Sequence, residues 1–126
     1  MHATYTRLFT DASGVSRFED IEVELRPGFA VPPAEPLSVA DFVLTERCSW
    51  IGGTPGWKGD AVHPVPRRTL CVVATGQIEI TVGSGETRLF GPGSVILSED
   101  TTGTGHSTRI TGSGNSHSLF FSLPEA

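Results

Sequence analysis

The chain has 126 residues, a length typical of one domain with a hydrophobic core of its own. Its formal net charge is −5, which argues against nucleic acid as a partner, because phosphate recognition needs clustered lysines and arginines. No stretch resembles a membrane span or a secretory leader, so we expect a soluble, cytoplasmic protein without a membrane partner. Cys48 and Cys71 are far apart in sequence and predict two reduced thiols.

Short alternating segments separated by glycine and proline turns run through the sequence. Residues 1–25 predict two strands around a Ser-Gly turn, and the proline-rich residues 26–37 predict a connecting loop. Further strands are predicted at residues 38–51, 62–65, 69–74, 77–82, 87–90, 94–97, 106–111 and 117–123. This many short strands, without a helical pattern, indicates an all-β barrel or jelly roll.

The middle of the chain resembles the first of the two motifs that define the cupin superfamily. His63 stands at the position of that motif's first histidine, and Gly76 at the position of its closing glycine. Val65 and Thr69 occupy the positions of the second histidine and the glutamate. The chain therefore keeps one of the three metal ligands that this motif usually supplies.

A later stretch resembles the second cupin motif. Gly93 opens it, and His106 completes its Gly-x-x-His ending after a two-residue insertion. Glu99 and Ile110 stand where this motif has a proline and an asparagine. The histidine of the second motif is therefore kept as well.

The resemblance implies one cupin domain over residues 1–126, with the all-β, cupin-type double-stranded β-helix, or jelly-roll barrel, as its fold. The core motifs span residues 57–110, and the strands within 1–25 and the loop at 26–37 would pack on the barrel. Cupins usually hold a metal ion with three histidines and one glutamate. Because this sequence keeps two of those ligands, the cofactor stays open: none, or one divalent metal ion.

In a cupin the strand faces that carry His63 and His106 line the barrel interior, so both histidines are candidates for catalysis. As general acid and base they could serve a lyase, isomerase or cyclase that acts on a small carbonyl or polyketide-like metabolite. With an added carboxylate they could hold iron or manganese in a metal-dependent dioxygenase. As satisfied interior polar groups they would belong to a non-catalytic ligand-binding protein. These three hypotheses stay open.

The carboxylate of a two-histidine-one-carboxylate metal site has several candidates. Glu46 shares a predicted strand face with other inward positions, and Asp60 lies three residues before His63. Glu99 and Asp100 precede the insertion in the second motif and could also turn inward. The sequence does not choose among them.

Substrate-binding candidates follow from strand parity and from the chemistry of neighbouring side chains. Thr69 and Cys71 share a face with His63, and Thr108 shares one with His106. An arginine next to this strand could hold a substrate carboxylate or enolate oxygen, and a tryptophan in the glycine-rich entry loop could stack on a planar substrate. The predicted substrate-binding residues are Trp57, Arg67, Arg68, Thr69, Cys71 and Thr108. The expected partners are a small-molecule ligand and a second copy of the chain, in a homodimer that pairs edge strands.

Overall fold

The computed structural model describes residues 1–59 and 62–125. Within these residues the chain forms strands without any helix, and so has no helix that could cross a membrane. The strands are β1 (His2–Thr10), β2 (Ser16–Glu24), β3 (Arg26–Gly28), β4 (Leu37–Val39), β5 (Arg47–Gly53), β6 (Thr69–Thr75), β7 (Gln77–Val82), β8 (Thr87–Phe90), β9 (Val95–Ser98), β10 (His106–Thr111) and β11 (Ser116–Ser122).

The strands form a large sheet, a small sheet and a separate ribbon. The large sheet has the order β2-β1-β9-β6-β11-β5, the small sheet the order β10-β7-β8, and the ribbon pairs β3 with β4. Isolated bridges from Lys58 to Arg109 and from His63 to His106 add a short line of backbone pairing beside β10. From β5 onward the chain passes repeatedly between the two sheets. This connectivity is that of the jelly roll, the double-sheet barrel of cupins, so the predicted fold class is confirmed.

The core lies between the two sheets because alternate residues of each strand face inward. In β7 the inward positions are isoleucine and valine and the outward ones are polar, which gives a strict alternation of burial. The main core contains Leu8, Phe18, Cys71, Val73, Ile78, Ile80, Val82, Phe90 and Ile96. A second cluster of Leu70, Leu97 and Leu123 covers the opposite face of the large sheet.

Two predicted strands differ from the structure. Residues 38–51 were predicted as one strand, but β4 ends at Val39 and β5 begins at Arg47. Leu44, in the intervening stretch, is 81% exposed, because the chain there joins no sheet. Residues 62–65 form only the bridge at His63, since Pro64 and Pro66 remove the backbone donors that a continuous ladder needs.

Candidate active site

A cavity of about 470 Å³ lies inside the barrel, a volume within the range of small-molecule sites. Both sheets and the described parts of the segment between them, residues 51–59 and 63–66, contribute to its wall. The lining residues are mainly aliphatic or aromatic, with several hydroxyl groups and two imidazoles among them. They are Ile51, Gly52, Gly53, Trp57, Gly59, His63, Val65, Pro66, Thr69, Cys71, Ile78, Ile80, Ile96, Ser98, His106, Thr108, Ile110, Ser116, Ser118 and Phe120.

The structure brings His63 and His106 together at the edge of the small sheet. Their backbones exchange two hydrogen bonds, with N to O distances of 3.2 and 3.0 Å, and their ring centroids lie 6.3 Å apart. Gly105, just before His106, has a φ of +71°, and a Cβ atom at this position would overlap the carbonyl group of His63. A glycine is therefore needed for the two segments to approach this closely.

Asp100 holds the ring of His106 from behind the cavity wall. The carboxylate oxygen Oδ2 lies 2.6 Å from Nδ1 of His106, and since a carboxylate can only accept, Nδ1 donates. The side chain of Asp100 is completely buried, and its second oxygen, Oδ1, has no hydrogen-bond partner among the described residues. The side chain of His106 is 14% exposed. With Nδ1 engaged in this way, Nε2 of His106 is the ring nitrogen left for a ligand.

His63 is held by a backbone group. Its Nδ1 lies 2.9 Å from the carbonyl oxygen of Pro64, which again makes Nδ1 the donor and leaves Nε2 available. Unlike His106, His63 is exposed. The site therefore combines one buried imidazole backed by a carboxylate with one exposed imidazole backed by a neutral carbonyl group.

Four of the predicted substrate-binding residues line the cavity: Trp57, Thr69, Cys71 and Thr108. Trp57 is half-exposed, and the hydroxyl of Thr69 donates to the carbonyl oxygen of Arg67 at 2.8 Å. Burial raises the pKa of the Cys71 thiol to about 11, and a hydrogen bond with Ser118 opposes this only in part. Cys71 is therefore a protonated thiol at neutral pH and a weak candidate for a nucleophile.

Arg67 and Arg68, in contrast, do not line the cavity. Nε of Arg67 donates to the carbonyl oxygen of Leu123 at 2.8 Å, and its guanidinium pairs with Glu46. Nε of Arg68 donates to Glu99 at 2.9 Å. The predicted role of these arginines in holding substrate is thus not supported, because carboxylates outside the cavity bind both.

The described residues do not assemble a metal-binding set. Glu46 lies at the surface with Arg67 rather than beside the histidines, and Asp60 lies outside the described residues. No three His, Cys, Asp or Glu side chains of the described residues are grouped as metal ligands. The donor set in this arrangement does not fit a catalytic metal ion.

Sequence reasoning missed the pairing of Asp100 with His106 and the contribution of β11. Ser116, Ser118 and Phe120 alternate along β11 and face the cavity, a period-two signal that the sequence does contain. The Asp100 contact depends on the fold of the loop between β9 and β10. No short-range pattern encodes that contact.

Comparisons with known proteins do not assign a family or a function to the chain. No protein-family model and no curated protein matches the chain. A conserved Streptococcus pyogenes protein of unknown function, SPY1581, is 20% identical over 63% of this chain, with a TM-score of 0.49; the match spans 65% of that protein, just under two thirds of its length. A putative ethanolamine utilization protein Q from Salmonella typhimurium is 14% identical, over 100% of this chain and 99% of that one, with a TM-score of 0.44. Strand order, rather than these similarities, assigns the fold.

Proposed function

We propose that the protein binds a small organic molecule inside the barrel and moves a proton on it, in a reaction of the isomerase, lyase or cyclase type on a carbonyl-containing substrate. One observation carries this proposal: the buried Asp100 carboxylate lies 2.6 Å from Nδ1 of His106, whose ring lines an apolar cavity. A carboxylate in this position fixes the tautomer of the imidazole and stabilises its protonated form.

His106 serves as the general base in this scheme. Its Nε2 takes a proton from the carbon next to the substrate carbonyl group, and the electron pair of the broken C–H bond forms an enolate. The imidazolium that results is stabilised by Asp100, whose burial strengthens the attraction between the two charges. General acid–base catalysis by a positioned imidazole contributes about 10²–10⁴-fold to a rate.

His63 serves as the matching acid. In its protonated form it donates from Nε2 to the enolate oxygen or to a carbon further along the substrate, so that the net reaction relocates one hydrogen atom. Its exposure lets it recover a proton from water, and His106 loses its proton before the next turnover. The apolar wall around the substrate excludes the water that would weaken these interactions.

Deuterium exchange tests this chemistry without knowledge of the natural substrate. The probe is 1-indanone in D₂O, and NMR follows the loss of the proton signal next to its carbonyl group. We expect exchange faster than in buffer, and a decrease of about 10²-fold or more in His106→Gln. His117→Gln is the matched control, because His117 is a histidine of the large sheet that does not line the cavity. Exchange at the buffer rate, or exchange that His106→Gln leaves unchanged, would contradict the proposal.

A two-histidine metal site is the second candidate. The observation that favours it is that both rings use Nδ1 for a carbonyl or carboxylate oxygen, the usual environment of metal-bound histidines. We rank it second because two protein ligands, among the described residues, are fewer than catalytic metal sites have. Elemental analysis after loading with Fe, Mn, Ni, Cu and Zn decides between the two. Stoichiometric metal that His63→Ala and His106→Ala both abolish would establish a metal site.

We also propose, as the sequence predicts, that two copies pair through their edge strands. Support comes from β5, which ends the large sheet and carries Trp50, 72% exposed, beside the half-exposed Ile51. Light scattering after size-exclusion chromatography should give the mass of a dimer for the natural chain and of a monomer for Trp50→Lys. A monomer for the natural chain at high concentration would refute the pairing.

A further inference from the structure

We infer that the ligand of this cavity is uncharged, with one carbonyl or hydroxyl group at the histidines and an apolar body directed along the barrel. The inference rests on the proposed function, because it takes the cavity as the binding site. It narrows the substrate class by excluding carboxylates and phosphates, which are otherwise common among small metabolites.

The first argument is the chemistry of the lining. Its ionisable side chains, among the described residues, are His63, His106 and Cys71, and no arginine or lysine is among them. Burial keeps the thiol of Cys71 protonated. The remaining polar groups are hydroxyls, backbone amides and the indole N–H of Trp57. Nothing permanently positive in this lining could compensate an anion for the water it loses on entering the cavity.

The second argument is that the nearby arginines are bound elsewhere. Arg68 directly precedes the lining residue Thr69, yet its Nε donates to Glu99 at 2.9 Å. Arg67 is bound by Glu46 and by the carbonyl oxygen of Leu123. To reach into the cavity, Arg67 would have to leave Glu46, and Arg68 would have to give up its hydrogen bond to Glu99, which Arg7 also binds.

The third argument is the charge behind His106. Asp100 is fully buried and lies 2.6 Å from Nδ1 of the imidazole, with one of its oxygens unpaired among the described residues. An anionic group bound at Nε2 would face this carboxylate across a single ring. Two negative charges this close, with little water between them, repel each other. A neutral ligand meets no such repulsion, and a hydroxyl group can also donate a hydrogen bond to Nε2.

The orientation follows from the two ends of the cavity. At one end, the imidazoles of His63 and His106 lie with their ring centroids 6.3 Å apart. At the other end, Ile110 pairs with Ile78, and Gly53 packs so closely on Ile110 that a Cβ atom there would overlap its side chain. The polar group of a ligand therefore belongs at the histidines, and its apolar body among the isoleucines.

Two probes of nearly the same size test this inference: 2-acetylnaphthalene, which is neutral, and 2-naphthoate, which is an anion. Equilibrium dialysis of the full chain at roughly pH 8 measures both affinities, and we expect the ketone to bind at least about tenfold more tightly. Equal or tighter binding of naphthoate would overturn the inference while leaving a functional binding cavity. Binding of neither probe would instead overturn the proposed binding function on which the inference rests.

Matched variants test whether the probes bind inside the cavity. Thr108→Arg adds a cation to the lining and should shift the ratio of the two affinities toward naphthoate by about tenfold or more, compared with the neutral control Thr108→Gln. If Thr108→Arg does not fold, Ile51→Arg adds the cation from the half-exposed edge strand instead. A ratio that neither charged variant changes would show that the probes bind outside the cavity and would overturn the inference.

Discussion

Glu99 and Asp100 are neighbours in sequence, yet their carboxylates lie in opposite environments. Glu99 receives hydrogen bonds from Nε of Arg7 at 2.7 Å and from Nε of Arg68 at 2.9 Å, at the partly exposed edge of the barrel. Asp100 is completely buried, with one oxygen on His106 and the other unpaired among the described residues. One carboxylate joins strands, while the other is held in an environment that costs free energy.

The difference is consistent with the chemical role proposed for Asp100. A carboxylate with two guanidinium partners has its charge compensated in the folded state, which stabilises the fold and leaves little reactivity. A buried carboxylate with an unpaired oxygen destabilises the fold, and costs of this kind persist mainly at functional sites, where other interactions offset them. On this criterion Asp100 belongs to the site and Glu99 to the scaffold.

The largest expected effect is that of Asp100→Asn on activity. The amide cannot stabilise the His106 imidazolium as a carboxylate does, so the deuterium exchange rate of 1-indanone should fall by about 10²–10⁴-fold. The free energy of unfolding should stay the same or rise, because the variant removes an uncompensated buried charge. Exchange kinetics and urea unfolding on the same sample separate the two effects. A variant that is strongly destabilised, or that keeps its exchange rate, would assign Asp100 a structural role.

Gly105→Ala is the next largest change, because this glycine sets the approach of the two histidines. Its φ of +71° and the overlap of a Cβ atom with His63 should together lower the free energy of unfolding by about 3 kcal/mol or more. Gly85→Ala is the matched control: its φ is +92°, but a Cβ atom there meets nothing, so its cost should be about 1–2 kcal/mol. Thermal or urea unfolding measures both. Equal losses would mean that the contact with His63 is unimportant.

The sequence predicts the fold better than the site, and particular elements show why. In β7 the alternation of apolar and polar residues correctly predicts the inward and outward faces, because β10 and β8 pair with this strand on either side. Residues 40–46 have a similar alternation but join no sheet, so the pattern there predicts a strand that does not form. Periodicity therefore predicts structure only where another element covers the strand.

The site residues likewise fall into those that the sequence could place and those that it could not. His63 and His106 could be placed by motif spacing, because jelly-roll connections fix which strand segments meet. Glu46 and the two arginines could not, since their directions depend on which oppositely charged side chains lie within reach. The sequence offered Asp100 only as one of several candidate carboxylates. Its contact with Nδ1 of His106 depends on the folded loop between β9 and β10.

The smallest expected effect, and the one that tests the scaffold role of Glu99, is that of Glu99→Gln. Burial alone would raise the pKa of Glu99, but hydrogen bonds from Arg7 and Arg68 outweigh it, so its pKa lies below the ordinary value. The ionised carboxylate therefore stabilises the fold at neutral pH, and this stabilisation disappears as the pH falls through the lowered pKa. At pH 7 the variant should lose about 1–2 kcal/mol in its free energy of unfolding. The two proteins should converge in acid, once the pH has fallen below that lowered pKa.

Glu24→Gln provides the control for this titration, because Glu24 pairs with Arg26 at 3.2 Å on the exposed surface and should contribute less than about 0.5 kcal/mol. Urea unfolding between neutral and acid pH measures both differences. The deuterium exchange rate of Glu99→Gln should equal that of the natural chain, since Glu99 contacts arginines rather than the cavity. A loss of exchange in this variant, comparable with that of Asp100→Asn, would mean that the two neighbouring carboxylates act together and that their environments do not separate scaffold from site.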